Sequence, residues 1–289
     1  MAEFAYAAPT SVSEAVGLLS GAKGAAKLMS GGTDLLVQLR AGRVRCDLVV
    51  DTKKIAGISG IRQENGAFIV GAATSGAELG EHAGLVAAWP GVVEGANLIG
   101  STQVQGRATL AGNLCNASPA ADSVPAMVAG GVTCVVVGPN GSREAPVEQI
   151  PVSPGRTSLA KDEFILEFRF PARPALSSDA YLRFIPRTEM DIAVVGVGVN
   201  LTRDASGVIT SARVALGAVA PTVLLVDACA KAIVGTKLDE AALVRLAEAA
   251  SAACRPIDDK RGTAEFRIKV AGVIARRTAA IAYERAGAR

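Results

Sequence analysis

The sequence predicts an α+β fold in two parts, a larger unit over residues 1–174 and a smaller unit over residues 175–289. Half of the 289 residues are hydrophobic, which is enough for a sizeable core, and this length is typical of about two domains. Strand and helix patterns follow each other without the regular alternation of a parallel α/β protein. Prolines and serines cluster in "PARPALSSDA", and such a composition favours a boundary near residue 174.

The first stretch of the chain predicts short helices and strands in turn. "SVSEAVGLLSG" is typical of an amphipathic helix that Ser11 or Ser13 caps and Gly21 ends. The strand "AAKLM" is followed by the turn Gly31-Gly32-Thr33 and by the helix "DLLVQLRAG", for which Gly42 suits the C′ position. "CDLVVDT" predicts the next strand.

The middle of the chain predicts hairpins, a broken helix and a long loop. Asn65-Gly66 and Pro139-Asn140-Gly141 each suit a tight turn between two apolar runs. Residues 76–99 have a helical pattern that Trp89-Pro90 interrupts. Residues 99–127 are rich in turn formers, so we expect a long loop that is functional or disordered. "DEFILEFRFP" alternates and predicts a strand.

The C-terminal part predicts a sheet followed by helices. "DIAVVGVGVNLTRDASGVITSARVALGAV" reads as two strands joined at Gly207. Three helical patterns follow, near residues 222–234, 239–254 and 263–286.

Composition excludes several classes of function. The net charge of +3 is scattered along the chain, whereas nucleic-acid binders concentrate basic residues with aromatic ones. The start "MAEFAYAAPT" lacks the features of a signal peptide. Apolar runs such as "AMVAGGVTCVVVG" fall short of the roughly 18 residues that a membrane span requires. These features predict a cytoplasmic protein.

Cysteine and histidine usage argues against a metal site and against a Ser-His-Asp catalytic triad. The five cysteines are dispersed with no C-x-x-C pair, which disfavours a zinc site or an iron–sulfur cluster in this chain. Their odd number and wide spacing disfavour a disulfide framework and fit a reducing compartment. The only histidine, His82, is expected at the surface or at a helix end.

The glycine turn has two interpretations. A strand, the turn Gly31-Gly32-Thr33 and a helix start leave unpaired N–H groups and partial positive charge, which suit a phosphate or pyrophosphate. Missing Cβ atoms would let such a ligand approach the backbone. A plain tight turn explains the pattern equally well, and neither G-x-G-x-x-G nor a P-loop motif is present. We expect the Asp34 carboxylate to turn away from a phosphate and to cap or hydrogen-bond its own helix.

The stretch over residues 99–127, which we call the polar stretch, also leaves two interpretations. Amide, hydroxyl and carboxylate side chains are dense there and could line a ligand that bears hydroxyls and a polar ring, or they could cap a surface loop. They belong to Gln103, Thr109, Asn113, Asn116, Ser118 and Asp122.

Four ordered stretches together resemble a known family. They are "SGGTDLL" (30–36), "GAATSGAEL" (71–79), "IGSTQVQGRATLAGNLCNASPAADSVPAM" (99–127) and "RTEMDIAVVGVGVNL" (187–201). In these stretches, and over nearly its whole length, the chain resembles the FAD-binding medium subunits of the molybdenum hydroxylases, the carbon monoxide dehydrogenase and xanthine dehydrogenase type. The resemblance implies a two-part FAD-binding domain like that of vanillyl-alcohol oxidase (parts about 1–55 and 56–174), then a C-terminal antiparallel sheet with three helices.

The resemblance also implies which residues bind FAD. Residues 28–35 would follow the pyrophosphate, and Asn116 and Asp122 would bind ribityl, ribose or adenine groups. Arg183 would lie near the isoalloxazine, with Asp191 and Ile192 beside the ring. The full implied set is Leu28, Met29, Ser30, Gly31, Gly32, Thr33, Asp34, Leu35, Thr74, Ile99, Gly100, Thr109, Leu110, Ala111, Gly112, Asn113, Asn116, Asp122, Ile165, Leu166, Arg183, Asp191 and Ile192. No catalytic residue and no metal ligand is predicted.

Two positions depart from the family pattern. Ala111 stands where the family often has glycine, which is tolerable only at a negative φ. Ser75-Gly76 replaces a threonine and a histidine of many relatives.

The function implied by the resemblance is electron transfer. Electrons would pass from [2Fe–2S] clusters on a small partner subunit through FAD to a quinone, oxygen, NAD or another acceptor. A large partner subunit would carry the molybdopterin, in a dimer of heterotrimers. Two alternatives stay open from the residues: a self-sufficient flavin oxidoreductase of the related fold, and a non-catalytic scaffold with purely structural glycine turns.

Overall fold

The computed structural model describes residues 3–188 and 190–288. Within them, three larger sheets and one short hairpin combine with helices, and the α+β prediction is confirmed. The largest sheets are antiparallel, while the N-terminal sheet is parallel.

The N-terminal sheet is small and its three strands are parallel, in the order β1-β3-β2. Its strands are β1 (Ala5–Ala7), β2 (Ala26–Met29) and β3 (Leu48–Asp51), and its helices are α1 (Val12–Gly21) and α2 (Leu35–Arg40). Ser11 caps α1, since its hydroxyl accepts from the Glu14 N–H at 3.2 Å. Because β2 and β3 are parallel, the glycine turn that follows β2 lies at the carboxyl edge of the sheet, where ligands of such sheets commonly bind.

The second sheet has five antiparallel strands in the order β4-β5-β10-β6-β7. Asn65 and Gly66 have φ of 50° and 81°, as a type I′ hairpin turn requires, and both predicted hairpins are confirmed. The strands are β4 (Ile61–Glu64), β5 (Ala67–Gly71), β6 (Thr133–Gly138), β7 (Gly141–Pro146) and β10 (Phe164–Phe170), and β8 (Pro151–Ser153) with β9 (Arg156–Thr157) forms a separate hairpin that the sequence did not predict.

The segment predicted as one broken helix contains three. They are α3 (Gly76–Glu81), α4 (Ala83–Ala88) and α5 (Pro90–Asn97). The additional break falls at His82, whose Nδ1 accepts from the Leu85 N–H at 3.0 Å and caps α4. The prediction of His82 at a helix end is therefore confirmed.

The prediction of a long loop over residues 99–127 was wrong as to conformation. The chain there forms α6 (Thr102–Gln105), α7 (Leu110–Cys115) and the start of α8 (Ser123–Ala129). The Thr109 hydroxyl caps α7 by accepting from the Gly112 N–H at 3.0 Å, and apolar side chains such as Leu114 are fully buried. Capping and burial therefore offset the low helix propensity of this polar sequence.

The C-terminal part is an antiparallel sheet in the order β11-β12-β13-β14 with three helices. Its elements are β11 (Ser177–Phe184), β12 (Val195–Arg203), β13 (Ile209–Gly217), β14 (Leu224–Leu225), α9 (Asp227–Ile233), α10 (Glu240–Ala253) and α11 (Ala264–Gly287). The first helix begins later than predicted because Leu224 and Leu225 pair with β13. Strand β11 was not predicted.

Two large apolar clusters hold these layers. One surrounds the five-stranded sheet and includes Phe168 and Met127, while the other lies between the C-terminal sheet and its helices around Val197 and Leu246. Of the helices in the described residues, none combines the length and the apolar character needed to cross a bilayer.

Candidate functional site

Two adjoining clefts open beside the glycine turn at the carboxyl edge of the parallel sheet. The first has a volume of about 360 Å³ and the second about 290 Å³. Small-molecule and cofactor sites begin at roughly 300 Å³, so the first cleft lies within this range and the second lies at its lower limit. The residues common to both are Lys27, Leu28, Ser30, Gly112 and Cys115. The two clefts therefore form one elongated site between β2 and α7.

The turn presents free hydrogen-bond donors to the first cleft. Within residues 3–188 and 190–288, the backbone N–H groups of Gly31, Gly32 and Thr33 find no acceptor, and all three residues line the cleft. Buried or half-buried N–H groups ordinarily have partners. Three consecutive unpaired donors beside the first turn of α2 suit an anionic oxygen-rich group.

The glycines of the turn are required by the chain itself. A Cβ at position 31 would lie 1.7 Å from the carbonyl oxygen of Arg107. Gly32 has a φ of 79°, which residues with side chains rarely adopt. For Gly31 the absent side chain also makes room for the backbone of the opposite wall, and the role of the missing Cβ atoms in ligand approach stays a prediction.

Asp34 does not cap its helix as predicted. Its backbone is the N-cap of α2 but has φ −91° and ψ −49°, and the side chain makes no capping hydrogen bond. Capping needs an extended residue whose side chain can reach back to the first-turn amides. The carboxyl group instead lies on the wall of the first cleft, where desolvation raises its pKa above the ordinary value.

Side-chain hydrogen bonds join the two walls of the site. The Thr109 hydroxyl donates to Ser30 Oγ at 3.2 Å, and Gln38 Nε2 donates to Asn116 Oδ1 at 3.1 Å. Asn113 Oδ1 in turn accepts from the Ser123 hydroxyl at 2.7 Å. Helices α2 and α7 are therefore linked across the first cleft.

Most of the predicted FAD-binding residues lie together in this site. The first cleft is lined by Leu28, Met29, Ser30, Gly31, Gly32, Thr33, Asp34, Leu35, Ile99, Thr109, Gly112, Asn113 and Asn116. The second cleft adds Ala111 and Ile165. Ala111 lies within α7 and is absent from the positive-φ residues, so the methyl group there is tolerated. Neither cleft is lined by Thr74, Gly100, Leu110, Asp122, Leu166, Arg183, Asp191 or Ile192.

Thr74 holds a turn outside the clefts. Its hydroxyl accepts from the Gly60 N–H at 2.9 Å and lies 3.1 Å from the Gly60 carbonyl oxygen. The side chain is fully buried. These contacts account for a threonine at this position without any contact to a cofactor.

Asp122 and Arg183 pair with each other. Arg183 Nη1 lies 2.7 Å from Asp122 Oδ2, and the Tyr181 hydroxyl donates to Asp122 Oδ1 at 2.9 Å. Burial raises the pKa of Asp122 to about 6 although Arg183 and Tyr181 both favour the ionised form. The charge of Arg183 is therefore compensated inside the fold.

Arg183 also links the Asp191 loop to one end of the first cleft. Its guanidinium donates to the Leu98 carbonyl, next to Ile99, at 3.1 Å and to the Asp191 carbonyl at 3.4 Å. The hydrogen bond from Arg187, supported by the Ile192 N–H, lowers the pKa of Asp191 to about 2. Asp191 thus organises its own loop, and the Ile192 side chain is exposed.

The sequence interpretation missed several residues of the site. Lys27 is the only positively charged residue that lines the first cleft in the described part of the chain, and Gln38 bridges its walls. Cys115 lies where the clefts meet, and burial raises the pKa of its thiol to about 12, so it stays protonated. Alternation in a strand cannot separate Lys27 from any surface lysine, and no sequence signal marks the other two.

The donor set of the site fits FAD. Unpaired amides with Lys27 provide for a pyrophosphate, and the adjoining clefts suit an elongated dinucleotide. Among the described residues, no group of three or more His, Cys, Asp or Glu side chains is arranged to hold a metal ion.

Known proteins resemble this chain along its whole length. Residues 2–173 match the family model described as the FAD binding domain in molybdopterin dehydrogenase, and residues 180–282 match the CO dehydrogenase flavoprotein C-terminal domain. The carbon monoxide dehydrogenase medium chain of Hydrogenophaga pseudoflava is 32% identical over 98% of both chains. The xanthine dehydrogenase FAD-binding subunit of Escherichia coli O157:H7 is 28% identical over 99% of both. A solved structure of carbon monoxide dehydrogenase from Hydrogenophaga pseudoflava superposes with a TM-score of 0.94 at 33% identity, covering 98% of both chains.

Proposed function

The chain belongs to the family of FAD-binding medium subunits of the molybdenum hydroxylases, and from that premise we propose that it is the electron-transfer subunit of a heteromeric molybdenum hydroxylase. In this role, electrons from the [2Fe–2S] clusters of a partner subunit reach an external acceptor by way of FAD. The observation that carries the proposal is the row of unpaired amides at Gly31, Gly32 and Thr33 in a cleft of about 360 Å³.

The chain's own residues bind and orient the cofactor in this proposal. Bound FAD supplies the redox chemistry, as cofactors do in general. The turn amides and Lys27 hold the pyrophosphate. The hydrogen bonds Thr109–Ser30 and Gln38–Asn116 fix the two walls of the site relative to each other. The implied contacts of Asn116, Asp122, Arg183, Asp191 and Ile192 with the cofactor stay predictions.

The partners of the proposal follow from the relatives. Their names include "medium chain" and "FAD-binding subunit", which describe components of larger enzymes. We infer a large molybdopterin subunit and a small [2Fe–2S] subunit, assembled as a dimer of heterotrimers in the cytoplasm. The acceptor would be a quinone, oxygen, NAD or another carrier.

The test starts from the purified full chain. We expect a two-band flavin absorption spectrum and FAD, rather than FMN, released on denaturation. Co-purification with iron–sulfur and molybdenum subunits is expected from the native host. A chain that stays colourless after incubation with FAD contradicts the proposal, and flavin reduction by a small organic substrate without partners favours the self-sufficient oxidoreductase.

A further inference from the structure

A charged network lies behind the glycine turn and does not line either cleft. Lys53 Nζ donates to the Ser30 carbonyl at 2.9 Å and to Asp51 Oδ1 at 2.7 Å. The Tyr6 hydroxyl donates to the other Asp51 oxygen at 2.7 Å. Although burial opposes ionisation, hydrogen bonds from Lys53 and Tyr6 hold the pKa of Asp51 below its ordinary value. The lysine is therefore fixed from both sides, by a carboxylate and by the turn.

The contact to Ser30 fixes the direction of the next amide. Peptide groups are planar, and the described residues contain no cis peptide bond, so each C=O points opposite to the N–H of the following residue. The Ser30 carbonyl points to Lys53, and Lys53 lines neither cleft, whereas Ser30 and Gly31 line the first cleft. The Gly31 N–H thus points away from Lys53.

We propose that Lys53 is a positioning residue that turns the Ser30–Gly31 peptide so that the Gly31 N–H faces the cofactor pyrophosphate. The inference rests on the proposed function as an FAD subunit. Lys53 acts on the ligand through the backbone, and its charge is compensated by Asp51, whose side chain is 9% exposed against 29% for Lys53. Its role differs from that of Lys27, which itself lines both clefts.

The experiment uses the full chain, stripped of flavin and titrated with FAD by calorimetry at several salt concentrations. Lys53→Met removes both hydrogen bonds, Lys53→Arg restores a donor, and Lys54→Met is the matched control at an exposed neighbour. For Lys53→Met we expect about tenfold weaker binding, equivalent to about 1.4 kcal/mol. The salt dependence is compared in the double variant Lys53→Met with Asp51→Asn, which removes the ion pair without changing the net charge, and it should match that of the unmodified chain.

A spectroscopic readout separates positioning from general loss of structure. The two ³¹P resonances of bound FAD should shift in Lys53→Met and keep their positions in Lys53→Arg and Lys54→Met. Should Lys53→Met fail to fold, the double variant Lys53→Met with Asp51→Asn removes the orphaned carboxylate, and the same loss is expected.

The outcomes distinguish the two proposals. Equal affinity and unchanged ³¹P resonances in Lys53→Met overturn the positioning role. A weaker salt dependence in the double variant also overturns it, because Lys53 would then attract the phosphates through its charge. Failure of the unmodified chain to bind FAD would instead refute the proposed function.

Discussion

Replacing Gly31 by alanine tests why the turn has a glycine there. The new Cβ would lie 1.7 Å from the Arg107 carbonyl oxygen and 2.6 Å from its carbonyl carbon. Both are backbone atoms, so no side chain can swing aside and one wall must move. The next residues on that wall include Thr109, whose hydroxyl bonds Ser30 across the site.

The structure gives the size of the effect and separates two interpretations. Forcing a methyl group into a packed position costs roughly 1–3 kcal/mol, so Gly31→Ala should lower the free energy of unfolding by that amount even without cofactor. If the missing Cβ served ligand approach alone, the flavin-free variant would be as stable as the unmodified chain and only FAD binding would suffer. We expect both to fall.

The assay is urea unfolding of the flavin-free chain, followed by titration with FAD. Gly17→Ala is the control, because nothing lies within 4 Å of its new Cβ and alanine in a helix gains about 0.5–1 kcal/mol over glycine. Flavin-free Gly31→Ala that unfolds at the same urea concentration as the unmodified chain would refute the packing argument.

Three further predictions concern single residues of the site and its surroundings. Lys27→Met should weaken FAD binding severalfold and reduce its salt dependence, because an exposed charge near an anion acts through screened attraction; Lys23→Met is the control, and equal effects of both in calorimetry would contradict a specific role. Thr74→Val leaves the Gly60 N–H without its partner, which should cost about 0.5–1.5 kcal/mol of unfolding free energy with no change in FAD affinity; weaker FAD binding at unchanged stability would place Thr74 at the cofactor instead. The pKa of Asp122 is raised to about 6 from an ordinary value of about 3.9. The folded chain therefore binds the Asp122 proton more tightly than the unfolded chain does, and the resulting stabilisation is complete below about pH 4 and is lost as the pH rises through about 6. Asp122→Asn should therefore flatten the pH dependence of the unfolding free energy between those values, and an unchanged slope in urea unfolding would exclude Asp122 as its source.

Local signals in the sequence predicted much of the fold. Asn65-Gly66 predicts its hairpin because few other dipeptides accept two positive φ angles. Ser11 and Gly42 indicate helix ends, the first by side-chain capping and the second by a positive φ. In the polar stretch, local signals did not predict the helices. Its helices are short and separated by turn formers, and α7 is stabilised by the Thr109 cap and by burial of Leu114 against distant elements.

The site was predictable where its residues adjoin the turn and unpredictable where contacts are long-range. Gly31, Gly32 and Thr33 follow from strand, turn and helix order. The pairing of Asp122 with Arg183 spans 61 residues, and the contact from Lys53 to Ser30 spans 23. Spacing alone carries no information about either, because the first depends on how α8 packs against β11 and the second on the pairing of β2 with β3.

The parallel sheet β1-β3-β2 has a consequence for how the cofactor is loaded. On its α2 side, the apolar cluster of this sheet has only Met29, Cys46 and Val49 as buried members among the described residues, whereas Val50 on the other side belongs to the large cluster. Regions with small cores open locally at lower free energy than the rest. A ligand that binds only the closed form adds about 2.7 kcal/mol at a hundredfold excess over its Kd. Hydrogen–deuterium exchange of the β2 and β3 amides should therefore become slower as the fraction of chains that hold FAD rises. The exchange rate would then report cofactor occupancy.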